Sequence, residues 1–415
     1  MASKPLLRDG LLVLSGAAGG MLLTLLASRR RQVRPVAGDK NEDADAPPEV
    51  LEAQRLKAEL KDKLYGHMRG AVVMAMMYLG DQLGLYQALA HSKEGWTATR
   101  LGKCCSVQPR LVQEWLSQQA AAGLINFDEK SQTFSLAKGL SPLLAEPLSG
   151  SFFAPYASLI LACYKRLPSM LNAFKGRCGA PTYDEAGELL ADAMARLHVP
   201  EMKFHFIPEV LPIVQDGALL ERLKAGAMCA DVGCSGADCT MELARMFPNS
   251  FFHCYEVAEP ALDRARDSIH KQGLRKNMYL VDAKGQPLGD GLDDGKKFDF
   301  IMCYDVLHDL ADPEQLMREV RQVLAPDGVW VIVDIASEGD HAANIKKHPG
   351  APSYYGISVC VCLPSGLSNN GGRGLGTLGF PVEVAEPMFR SSGFTRIRSY
   401  RMPTLEKNQV YEIQI

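Results

Sequence analysis

Between residues 225 and 335, short apolar runs alternate with helical stretches, and each run ends in small or polar residues. The runs are Ala225 to Asp231, Phe251 to Tyr255, Met278 to Val281, Phe298 to Cys303 and Val329 to Ile335. Helical patterns over Cys239 to Phe247 and Glu314 to Leu324 separate some of them, and the turn Ala325-Pro-Asp-Gly328 precedes the last. Such alternation predicts a doubly wound parallel α/β sheet, and a sheet of this kind binds ligands along the carboxyl edge of its strands.

The residues at those strand ends carry the chemistry. After the first run comes Asp231-Val-Gly233-Cys-Ser235-Gly236-Ala-Asp238, a small-residue turn that lets a ligand approach the backbone and leads into a helix N-terminus with free N–H groups. Glu256 ends the second run, 20 residues after Gly236, where a carboxylate can accept both hydroxyls of a ribose. Asp282-Ala283 and Tyr304-Asp305 end the third and fourth, and His308-Asp309 follows at once. Histidine titrates near neutrality and suits proton transfer, and Asp334, at the end of the fifth run, is placed to orient its ring.

Residues 51–149 read as a helical module closed by a hairpin. Leu64, Met68, Val72, Met76 and Leu79 mark one apolar helix face. A short helix after Trp96, a longer one over Gln108 to Ala122, and two strands flanking Asp128-Glu129-Lys130-Ser131 complete a winged-helix plan. The longer helix carries Arg110 against Glu114, and the wing turn is acidic. Without a basic surface there is little to gain from counterion release, so nucleic acid is not the expected partner, and homodimerisation or a substrate lid is the expected role. Residues 150–221 form a helical connector that the prolines at 168, 181, 200, 208 and 212 are expected to break.

The N-terminal 35 residues are a separate matter. Gly10 to Ser28 is a run of 19 uncharged residues followed by Arg29, Arg30, Arg31 and Arg34. At 1.5 Å per residue it spans about 28 Å, close to one bilayer core. Basic residues on its C-terminal side predict a signal anchor that leaves the rest of the chain in the cytosol, with mitochondrial targeting as the alternative. Residues 36–50 are polar and read as a linker.

A net charge of −3 gives no reason to expect a polyanionic partner. The eleven cysteines show no C-x-x-C pair; they read as reduced thiols, and no metal site is expected from their spacing.

Asp231-Val-Gly-Cys with Gly236, then Glu256, Asp282-Ala283, Phe298-Asp-Phe-Ile and Leu-x-Pro-Asp-Gly-Val resemble, in order, the motif set of class I S-adenosylmethionine (SAM)-dependent methyltransferases over residues 222–415. With the front module included, the chain is similar to bacterial-type winged-helix methyltransferases and, more distantly, to plant-type small-molecule O-methyltransferases. The resemblance implies a Rossmann-like sheet closed by an antiparallel hairpin, over Thr395 to Arg401 and Gln409 to Ile415, and SAM as cofactor. It implies that Asp231, Gly233, Ser235 and Gly236 line the methionine end, that Glu256 holds the ribose, that Asp282 and the Ala283 backbone meet adenine, and that Tyr304 lies beneath the sulfonium. It also implies a small-molecule acceptor, with His308 either as the general base for a hydroxyl or as lining of the cofactor pocket. Ser235 stands where the family shows a glycine, as does Ala237 in many members, which predicts strain of about 1–2 kcal/mol if the turn needs positive φ. Two other readings differ in kind. One is a SAM-binding or winged-helix regulator without catalysis; the other, a nicotinamide dehydrogenase, lacks its G-x-G-x-x-G. The Gly-, Ser- and Asn-rich stretch His348 to Pro381 is expected to shape the acceptor pocket.

Overall fold

The computed structural model describes residues 47–415 except 93, 178, 183, 184, 186, 290, 291, 293, 294 and 370. The apolar run Gly10 to Ser28 and most of the linker lie outside the described residues, and among the described residues no helix is long and apolar enough to cross a membrane.

The front module comprises α1 (Pro48–Gln82), α2 (Leu85–Ala90), α3 (Ala98–Cys104), α4 (Pro109–Ala121), the wing strands β1 (Ile125–Asp128) and β2 (Thr133–Leu136), and α5 (Ser141–Leu144). Pro109 starts α4, where its missing N–H costs nothing. Leu85, Tyr86, Leu101, Trp115, Leu116 and Ile125 form the core of the module. One expectation fails here. Leu64, Met68, Val72 and Leu79 are exposed, and α1 buries only Met77, Gly80 and Asp81. Arg110 pairs with Glu114 at 2.6 Å on α4, so the recognition-helix face carries no net charge.

The connector contains α6 (Pro155–Phe174), α7 (Gly187–Glu201), a π-helical segment Met202–Val210 and α8 (Ala218–Ala225). Its prolines do not all break helices. Pro168 lies within α6, Pro200 within α7 and Pro208 within the π-helical turns. A proline removes one donor, and widening the following turns to π geometry absorbs the displaced carbonyls. Arg196 of α7 reaches back to Asp81 of α1 through two bonds of 2.6 and 2.7 Å and ties the connector to the front module.

The remainder is a seven-stranded sheet in the order β5-β4-β3-β6-β7-β9-β8. Its strands are β3 (Met228–Val232), β4 (Phe251–Glu256), β5 (Met278–Asp282), β6 (Phe298–Tyr304), β7 (Leu324–Ile335), β8 (Arg396–Arg401) and β9 (Asn408–Gln414). The first five are parallel, and β9 and β8 close the sheet antiparallel. The helices are α9 (Asp238–Met246), α10 (Glu259–Lys271), α11 (Pro313–Val323), α12 (His341–Lys347), α13 (Ala351–Cys360), α14 (Cys362–Gly366) and α15 (Val382–Ser391). Two apolar cores cover the faces, one around Phe252, Phe300 and Val331, the other around Ile301, Trp330 and Phe389. The expected turn Ala325–Gly328 is instead a bulge inside β7: Leu324 faces Phe298 and Val329 faces Phe300, and the residues between are looped out. A Cβ at Gly328 would stand 2.8 Å from the Phe298 carbonyl oxygen, so only glycine lets the bulge close.

Candidate functional site

The carboxyl edge of the sheet brings the expected cofactor residues together. Val232 is in register with Tyr255 and Glu256 with Asp282, so the ends of β3, β4 and β5 stand side by side at ladder spacing. Gly233 takes φ +78°, and a Cβ there would lie 2.7 Å from Val306, which packs in from the end of β6. Ser235 and Ala237 take φ +50° and +55°, the left-handed region where a side chain is strained. Gly236 needs space instead: a Cβ would meet the guanidinium of Arg264, which bonds Asp238 at 3.0 Å.

Glu256 does more than the sequence shows. One carboxylate oxygen accepts from the N–H of Val257 and Ala258 at 2.8 and 2.9 Å, and the other from the N–H of Ser235 at 2.8 Å. The side chain therefore clamps the strained turn to the end of β4, and lone-pair capacity remains for a ligand hydroxyl. Asp231 is buried and accepts a hydrogen bond from the Thr240 hydroxyl, which fixes the first turn of α9; burial pushes its carboxyl up to about 7, and the Thr240 bond opposes the shift. Asp282 is exposed at the end of β5. The Ala283 N–H is taken by the Glu256 carbonyl at 2.9 Å, so what Ala283 has left to offer a ligand is its own carbonyl.

The β6–β7 end is different in character. His308 is 1% exposed, its Nδ1 lies 2.6 Å from Asp334 and its Nε2 3.3 Å from Asp309. Burial works against the charged ring, but the Asp334 and Asp309 carboxylates outweigh it and hold the imidazole well above its ordinary range. Burial raises Asp309 to about 6 against the pull of His308. Asp305, at φ +61°, sits between two histidines, 3.3 Å from His198 and 3.8 Å from His308. Burial would raise it, but the His198 bond and the His308 charge bring it to about 2.

Tyr304 turns its hydroxyl to Glu201 of the connector, donating at 3.0 Å, and accepts from Asn408 at 3.2 Å. Glu201 in turn pairs with Lys407, whose charge holds the buried carboxylate below its ordinary value against the opposing effect of burial. His198 and Glu201 escaped the sequence reading. Their signal is polar residues three apart on one face of an otherwise apolar helix, which α7 delivers to the sheet edge. Cys362, whose nearness to Cys360 invites a metal ligand but which without a second pair reads as a plain thiol, accepts at Sγ from Thr377 at 2.9 Å, and the Gly376 N–H donates to the His308 carbonyl at 3.3 Å. The stretch expected to shape an acceptor pocket is thus α13, α14 and a glycine turn folded against His308.

Residues 230–330 match the model of a methyltransferase domain, and residues 71–145 that of an Rv2258c-like winged HTH domain. Methyltransferase GfsG of Streptomyces halstedii is 30% identical over 183 residues, 41% of this chain and 62% of its own length, so the chain spans about three fifths of that relative. Human N-acetylserotonin methyltransferase in complex with SAM superposes with a TM-score of 0.59 at 12% identity, over 90% of this chain and 99% of that one. The mitomycin 7-O-methyltransferase MmcR gives 0.59 at 14% identity, over 87% and 99%. At these identities the structures establish the shared fold.

Proposed function

Because this chain joins a winged helix-turn-helix domain to a class I methyltransferase domain, we propose that it transfers a methyl group from SAM to a hydroxyl oxygen of a small molecule, with His308 as the base. The carrying observation is the pair of sites on one sheet edge: a glycine turn clamped by Glu256, and an imidazole held by Asp334. The human and mitomycin enzymes, which share the fold, are small-molecule methyltransferases by name.

The residues fit the cofactor. Gly233, Ser235 and Gly236 present backbone to it, Glu256 keeps acceptor capacity for ribose hydroxyls, and Asp282 closes the adenine end. When bound, SAM supplies an electrophilic methyl group. The chain's own part is to hold the acceptor in line and to remove its proton. Asp334 accepts from Nδ1–H, which fixes the tautomer whose Nε2 lone pair takes the hydroxyl proton, and stabilises the imidazolium that forms. Tyr304, anchored by Glu201, fixes the floor between the two half-sites.

Calorimetry with SAM and with NAD, then a methyl-release assay over hydroxylated small molecules, tests the reading. His308→Ala is expected to lose about 100- to 10,000-fold in rate with SAM affinity unchanged; full activity in that variant removes the base, and NAD binding without SAM binding removes the enzyme class. The same reading places the chain on a membrane through Gly10 to Ser28 with the catalytic domain on the cytosolic side, which protease protection of tagged vesicles checks. It also pairs two copies through the front module, which sedimentation checks.

A further inference from the structure

We infer that His308, Asp309 and Cys362 together form a binding site for a soft divalent cation of the zinc class, and that filling it blocks the base. A ring nitrogen of His308, a carboxylate oxygen of Asp309 and Sγ of Cys362 all lie within 4.8 Å of one another, and Nε2 lies 3.3 Å from the Asp309 oxygen. Zinc binds imidazole, carboxylate and thiolate at about 2.0–2.3 Å, which puts the corners of its tetrahedron about 3.3–3.8 Å apart. Three corners are therefore nearly in place, and side-chain adjustments of less than about 1 Å complete them.

The surroundings match a metal site as well as the donors do. Asp334 backs Nδ1 of His308 at 2.6 Å, the carboxylate–histidine arrangement that orients metal-binding imidazoles. Thr377 donates to the Cys362 sulfur at 2.9 Å and orients that donor. Among the described residues Asp309 Oδ1 accepts no hydrogen bond although it is buried, and neither does Oδ2 of Asp334 or Oδ1 of Asp305. Three buried carboxylates around one imidazolium leave an excess of negative charge that a bound cation would offset. The thiol selects zinc over magnesium, and three protein donors leave a fourth position open. The spacing of the cysteines hides this site, because two of its donors are neither cysteines nor near Cys362 in the chain.

The binding claim stands on this geometry alone; only its consequence for turnover rests on His308 as base. A cation on Nε2 takes the lone pair that proton removal needs, so cation and acceptor exclude one another. Competition between the full chain and a chromophoric chelator for Zn²⁺ tests the site. One Zn²⁺ per chain is expected, with no competition from excess Mg²⁺. Cys362→Ser is expected to weaken binding at least 100-fold and Thr377→Val about tenfold. Circular dichroism verifies that both variants fold, and Thr377→Val carries the test if Cys362→Ser does not. Methyl release by chelator-treated protein should fall as Zn²⁺ fills the site and return with chelator. Absence of stoichiometric binding, or binding that both variants leave intact, overturns the inference, while SAM affinity and methyl release without zinc report on the proposed activity separately.

Discussion

The two halves of the sheet edge solve opposite problems. At the ends of β3, β4 and β5 the Glu256 carboxylate is satisfied and the backbone is strained: Glu256 accepts three N–H groups, while Ser235 and Ala237 sit in the left-handed region. At the ends of β6 and β7 the backbone is strained only at Asp305, but buried carboxylate oxygens lack donors. On the proposed function, the half-site that would bind SAM is built by fixing backbone, whereas the one that would handle a proton is built by leaving charge incompletely compensated.

The sharpest way to break this contrast is Asp334→Asn. If uncompensated charge runs the acceptor half, losing it should lower methyl transfer by about 100- to 10,000-fold, because the amide no longer fixes the Nδ1–H tautomer. The pH profile carries the sign. In the native protein the imidazole pKa is raised, so imidazolium is the resting form and the rate rises with pH only above the ordinary histidine range. That raised value also stabilises the fold below the unfolded pKa, and the contribution fades as pH climbs through the folded one, so activity appears as this stability is surrendered. In Asp334→Asn the rising limb should move to lower pH; a limb that stays in place means that His308 does not carry the proton.

The contrast also explains what the sequence reveals. The cofactor half is legible because its parts are local: Gly233, Ser235 and Gly236 lie in one turn, and Glu256 ends the next strand, so chain order mirrors spatial order. The strain at Ser235 and Ala237 is expected from the resemblance, which puts glycine where they stand, and the pairing of His308 with Asp334 from their places at strand ends. What the chain order conceals is long-range. Glu201 reaches Tyr304 across 103 positions, and Cys362 meets His308 only because α14 folds back over the edge. The exposed face of α1 misleads for another reason: apolar periodicity reports a face that wants cover, not whether this chain supplies it.

Glu256→Gln sharpens the comparison from the cofactor side, with a smaller effect. The amide keeps one oxygen for Val257 and Ala258 but presents an NH₂ to the Ser235 N–H, which is left without an acceptor at a cost of about 1–3 kcal/mol. If that cost falls on the ordered turn that receives the cofactor, SAM affinity drops about 5- to 150-fold while the pH dependence of methyl release stays as in the native protein. Calorimetry and the pH profile read the two half-sites independently; a shift of the profile means that they are coupled.

The smallest expected effect isolates the strain itself. Ser235→Gly removes a Cβ from a residue at φ +50° and retains the N–H that Glu256 accepts. Release of left-handed strain is worth about 1–2 kcal/mol, and the wider freedom of glycine in the unfolded chain takes back roughly 0.5–1. The balance is a gain of about 0–1.5 kcal/mol, each kcal/mol being worth about 2–4 °C in Tm for a domain of this size. Ala237 is the poorer place to ask, because it is fully buried at the start of α9 and its methyl packs in the core. If Ser235→Gly raises Tm by scanning calorimetry and leaves SAM affinity unaltered, the strain is a residue of sequence drift at a turn that glycine would serve as well. If it raises Tm but weakens SAM, the Ser235 side chain itself contributes to the cofactor half, and strain there is kept for binding.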